Sequence, residues 1–129
     1  KKKWPYYKDL VRLLKKTYGN KYNIAVVPGP NEIEEAEKLN VNVILNNNKA
    51  VDLLDLIGLI KNSSYVISND TGPAHIAAHL NKKGLVLFGS HTTAEKVSIE
   101  TKNFQSIQVK NLNKLYVSSV LEKVKENLN

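Results

Sequence analysis

The segment SNDTGPAHIAAHL, residues 68–80, sets Asp70, Thr71, Gly72, Pro73 and His75 within six positions, between an apolar run and an alanine-rich one. Where a strand hands over to a helix, that set suits an anion. Gly72 lets a ligand approach the backbone, Pro73 presets the first helical turn, and the free amides of a helix start, aided by its dipole, attract negative charge. Thr71 adds a hydroxyl donor. Asp70 would repel a phosphate set against it, so its expected work is to cap the helix or orient the neighbouring amides. The phosphates of a nucleotide are the ligand this pattern fits.

His75 and His79 stand four residues apart, the spacing of a helical metal pair, yet the helix offers no acidic third ligand and the chain has no cysteine. Contact of His75 with a phosphate or sugar is the stronger reading, a packing or capping histidine the next, and His79 reads as structural or exposed. A second loop, in VPGPNEIEEAEKL, uses Pro28-Gly29-Pro30 to feed an acidic helix with Asn31 as its expected cap. Its acids would favour the positive end of the helix dipole, or one of them, best Glu32, would accept hydrogen bonds from a ribose or sugar hydroxyl. A third loop, FGSHTTAEK, carries Gly89, Ser90, His91, Thr92 and Thr93 and is weaker by itself. The chain contains no nucleophile elbow, no Walker loop and no G-x-G-x-x-G, hence no self-contained catalytic group.

These loops need elements to hold them. WPYYKDLVRLLKKTYG reads as an amphipathic helix with Pro5 near its first turn and Gly19 as its stop. After it, YNIAVV, VNVILN, SYVISN, GLVLFG and FQSIQV read as strands, with SYVISN a buried one. Helices are expected in NEIEEAEKLN, VDLLDLIGLIKNS, PAHIAAHLN and NKLYVSSVLEKVKENLN, and a turn at Asn46–Lys49. Strands alternating with helices predict right-handed βαβ units, a mostly parallel sheet covered on both faces, and ligands at the carboxyl ends of its strands. One feature departs from that plan: the chain enters through a helix, whereas a doubly wound half usually begins with a strand that becomes central. Unpaired edges in mid-sheet, open to self-association, are the expected result.

With 129 residues, one domain spanning 1–129 is expected. No apolar run approaches the roughly 18–20 residues of a membrane span, and the lack of cysteine leans weakly toward a reducing compartment, so a cytoplasmic, span-free chain is expected. No methionine is present either, and the chain reads as a piece of a longer polypeptide. The net charge of +7, from 19 Lys+Arg against 12 Asp+Glu, suits solvated surface lysines, a phosphorylated ligand or an anionic membrane face. With Arg12 its lone arginine, and no RNA-binding or zinc-finger pattern, no nucleic-acid partner is expected.

Taken in order, KKKWPYYKDLVRLLKK, VVPGPNEIEEAEKL and SNDTGPAHIAAHL resemble the C-terminal half of the bacterial heptosyltransferases of lipopolysaccharide biosynthesis, glycosyltransferase family 9. The motifs carry the likeness to about Gly89, and D-T-G-x-x-H-x-x-A-x-L is its most specific part. The resemblance implies an α/β, Rossmann-like parallel sheet flanked by helices, one half of a GT-B fold. It implies a donor-binding domain of an inverting enzyme that moves heptose from ADP-heptose to the lipopolysaccharide inner core, with no cofactor and no required metal.

Carried over by motif, Lys2 resembles the lysine that reaches the donor phosphate and Glu32 the acid that holds the ribose. Thr71 and Gly72 resemble the phosphate cradle, while Asp70 and His75 match the acid and histidine beside the sugar. The general base matches no residue here and is expected in an N-terminal domain, through which the lipopolysaccharide acceptor would be met. That places the work in the cytoplasm at the inner face of the inner membrane. Two departures stand out: SHTTAEKVS lacks the family's prolines, and the strand and hydroxyl-bearing loop before the W-P helix are absent. A non-catalytic binding module with this fold, and a transferase for a different nucleotide sugar, are the alternatives.

Overall fold

A computed structural model describes residues 3–69, 71–89 and 100–128. It begins with helix α1, Tyr7–Tyr18, in which Leu10, Val11 and Leu14 recur at helical spacing and turn one apolar stripe inward. Gly19, at φ 58°, ends the helix in a backbone region costly for other residues, and its amide donates to the Lys15 carbonyl at 2.9 Å.

Strand β1, Ala25–Val26, helix α2, Ile33–Glu37, and strand β2, Asn42–Val43, follow; β1 and β2 pair in parallel. The Asn46–Lys49 turn forms as expected, with Asn47 and Asn48 both at positive φ. Helix α3, Leu53–Lys61, is capped by the Asp52 carboxylate, which accepts from the Asp55 amide at 2.8 Å. Strand β3, Val66–Asn69, leads to helix α4, Gly72–His79, and strand β4, Gly84–Phe88, to strand β5, Phe104–Gln108. A 3₁₀ turn, Leu112–Lys114, and helix α5, Val117–Leu128, complete the described chain.

Every named strand pair is parallel, which agrees with the βαβ reading, but the pairs form two sheets: β1–β2, and β3–β4–β5 in that order. Among the described residues β1 and β3 each have one strand partner. This corrects the expectation of a buried SYVISN strand, since all four residues of β3 are only half-buried. By contrast β4, paired on both sides, is buried throughout.

Alternation along β4 divides the core into two layers. Leu85 and Leu87 join Trp4, Leu10, Val120 and Val124 beneath α1 and α5, while Val86 and Phe88 join Ile60, Ala74, Ala77 and Phe104 beneath α3 and α4. Helices therefore cover both faces of the three-stranded sheet, and the starts of α2 and α4 lie beyond the carboxyl ends of β1 and β3. Helix α3 is less completely covered, leaving Leu53 at 64% and Leu54 at 79% exposure.

Candidate functional site at the strand ends

Thr71 opens α4 from an extended backbone, and its hydroxyl makes no capping bond to the first turn. It lies instead 3.2 Å from the Ser68 hydroxyl and donates weakly to the Asn69 carbonyl at 3.4 Å. Thr71 and Gly72 are both exposed, and among the described residues nothing outside the adjoining chain lies within 4 Å of where a Cβ would stand on Gly72. So the start of α4 leaves open space at Gly72, while Pro73 brings no N–H and the Ala74 amide already donates to the Thr71 carbonyl at 3.0 Å. His75 is an exposed residue of the first turn. A shallow depression of about 660 Å³ on the flank of α4 is lined by Ile57, His75, His79 and Thr101, and it includes neither Glu32 nor Thr71.

Across the sheet end, Glu32 precedes α2. Glu32, not Asn31, takes the cap position, and it makes no side-chain bond to the helix start. Its carboxylate turns back to accept from the Gly29 amide at 2.9 Å. The other oxygen meets the Lys3 ammonium at 2.8 Å, and Lys3 also reaches Glu35 at 3.3 Å. The Lys3 bond, then the Gly29 amide, hold the Glu32 carboxyl below its usual range; the same bond to Glu32 raises Lys3. Both side chains remain partly solvated, at 38% and 42% exposure, so the pair is a positioned surface contact and Glu32 retains acceptor capacity for a ligand.

Lys3 owes its position to Trp4, whose ring is 1% exposed and whose indole N–H donates to the Leu115 carbonyl at 2.9 Å. The Trp4 amide donates to Asn69 Oδ1 at 3.3 Å, and the Tyr7 hydroxyl donates to the same oxygen at 3.0 Å. Burial and, secondarily, the Glu32 charge raise the Tyr7 phenol above its ordinary value, so it remains a donor. Two strand ends and the entry to α1 are thus joined by one polar web.

Of the residues singled out in the sequence, Glu32 stands in this web, and Thr71 and Gly72 stand at the open start of α4, with His75 one turn along. Lys2 and Asp70 lie outside the described residues, as does the Ser90–Thr93 part of the third loop. Sequence reasoning missed Lys3, Tyr7 and Asn69. Lys3 was hidden among three successive lysines, and Asn69 read only as a strand end. Among the described residues no cluster of three potential metal ligands occurs, and no helix is long and apolar enough to cross a membrane.

The model of the glycosyltransferase family 9 (heptosyltransferase) domain matches residues 1–125, beyond the reach of the motifs. Among curated proteins no match is found. E. coli heptosyltransferase WaaC with ADP superposes at a TM-score of 0.75 with 22% identity, covering 96% of this chain and 39% of that one. The same enzyme with ADP-2-deoxy-2-fluoro heptose gives a TM-score of 0.80 with 23% identity, covering 96% and 38%. At that identity the likeness is one of fold, and this chain spans about two fifths of the solved chains' length.

Proposed function

This chain belongs to glycosyltransferase family 9, and on that premise we propose that it is the donor-binding domain, residues 1–129, of a heptosyltransferase that takes ADP-heptose as its sugar donor. The supporting observation is the open start of α4 at the carboxyl end of β3, where Thr71 makes no side-chain cap, with Glu32 fixed by Gly29 and Lys3 in the loop that follows β1. The solved WaaC chains with ADP and with an ADP-heptose analogue support a nucleotide-sugar ligand.

In this reading the diphosphate lies at the start of α4, with the Thr71 hydroxyl and the Gly72 backbone as its cradle and Lys2 as its countercharge. Glu32 accepts from the ribose hydroxyls, and Asp70 and His75 stand beside the sugar. Breaking the anomeric C–O bond leaves a nucleoside diphosphate, and a preorganised cradle with a lysine stabilises that developing charge without water having to reorganise. Attack by the acceptor hydroxyl from the opposite face inverts the anomeric centre. Its proton goes to a base on an N-terminal domain that also meets the lipopolysaccharide core, at the inner face of the inner membrane. No metal is required by this arrangement.

Calorimetric titration with ADP, with UDP as control, tests the reading. Expected is ADP binding that UDP does not reproduce, weakened about tenfold by Glu32→Ala, as loss of a hydrogen bond to a charged group implies. No ADP binding by protein shown to be folded would overturn it, and binding to anionic vesicles in its place would favour a non-catalytic module.

A further inference from the structure

Building on the donor-domain reading, we propose that Asn69 is a positioning residue: its side-chain oxygen holds residues 3–7 against the end of β3 and thereby sets the spacing between the Glu32 loop and the Thr71–Gly72 helix start. In a continuous sheet, backbone ladders fix neighbouring strand ends about 4.7–4.9 Å apart. Here β1 and β3 belong to different sheets, and no strand pairing between those sheets occurs among the described residues. The described polar contacts reaching from one side to the other run through residues 3–7 and α1. On one side are Lys3 to Glu32 and Glu35 and Lys15 to the Asn40 carbonyl. On the other are the Trp4 indole to Leu115, the Tyr6 hydroxyl to Asn113, and the Trp4 amide and Tyr7 hydroxyl to Asn69, the contacts that reach the end of β3 itself.

Asn69 is gripped at both of its oxygens. The backbone carbonyl accepts from the Ser68 hydroxyl at 2.7 Å and from Thr71, and Oδ1 accepts from the Trp4 amide and the Tyr7 hydroxyl. It therefore connects the helix start directly to the segment whose first residue, Lys3, holds Glu32. A carboxamide suits this place because it accepts two bonds without adding negative charge beside a phosphate site. Alanine would leave two part-buried donors without an acceptor, and the segment would lose its hold on β3.

The chain has no cysteine, so Glu34→Cys and His79→Cys, at exposed positions on α2 and α4, give unique sites for a pair of spin labels. Pulsed dipolar spectroscopy well below the melting temperature then reads the spacing with no nucleotide present. Asn69→Ala is expected to broaden the distance distribution and weaken ADP binding about tenfold, the size of one lost positioned contact. Asn69→Asp, which keeps the acceptor, should restore the narrow distribution whatever its charge does to affinity. Tyr7→Phe removes a single hydroxyl and should broaden the distribution less, which serves if Asn69→Ala fails to fold. An unchanged distribution in Asn69→Ala, or in Tyr7→Phe where that variant decides, overturns the assignment. If the unsubstituted protein binds no ADP, the donor reading falls, while the distance distribution still decides the role of Asn69.

Discussion

Lys3 and Glu32 stand 29 positions apart and meet at 2.8 Å because the folding of α1 returns the chain to the β1 loop. Linkage fixes how the pair responds to pH. The folded carboxyl lies below its ordinary 4.5, so its contribution is complete above that value and disappears as pH falls through the lower folded one. The lysine is raised above 10.5, so its contribution is complete below that value and is lost as pH rises through the folded one. Solvent screening limits such an exposed pair to about 0.2–1 kcal/mol. Lys3→Ala should therefore lower the urea midpoint at neutral pH and converge with the unsubstituted protein in acid, which denaturation curves across that limb would check. Glu32 was legible in the sequence because Pro28-Gly29-Pro30 marks the loop and the acids mark the helix start. Its ion pair was not, since local spacing carries no information about contacts made across the fold.

Strand β4 is the element from which both core layers are built, and its first residue, Gly84, has no room for a side chain. A Cβ there would strike the Phe104 ring and the Val66 carbonyl, one from each neighbouring strand. Gly84→Ala should cost about 1–3 kcal/mol as overpacking. Gly58, within α3, has open space around it, so Gly58→Ala should stabilise by about 0.5–1 kcal/mol. Urea midpoints at unchanged m-value test the contrast. The type and order of the elements were readable from hydrophobic periodicity, whereas strand length was not. YNIAVV reads as a short β-rich run and VNVILN as a strand, yet β1 and β2 keep two residues each. An apolar run reports a tendency to be buried, but ladder length also requires a neighbour, and β1 has one strand partner among the described residues.

At the scale of the molecule, the described strands form two parallel sheets. What the sequence could not supply was the polar web that spans them, because Asn69, Trp4, Tyr7, Lys3 and Glu32 come from three separate stretches of chain. The divided sheet also implies an uneven resistance to opening. The amides of Leu85–Phe88 lie in a fully buried strand paired on both sides, while the ladder of Ala25–Val26 with Asn42–Val43 is short and half-exposed. Hydrogen–deuterium exchange should find the first group released only by global unfolding and the second by cheap local excursions. A nucleotide held by both Glu32 and the start of α4 would be lost in those excursions, so mass action suppresses them. ADP should then slow exchange across residues 25–43 far more than across 84–88, and the less stable lobe would become ordered by the ligand it helps to hold.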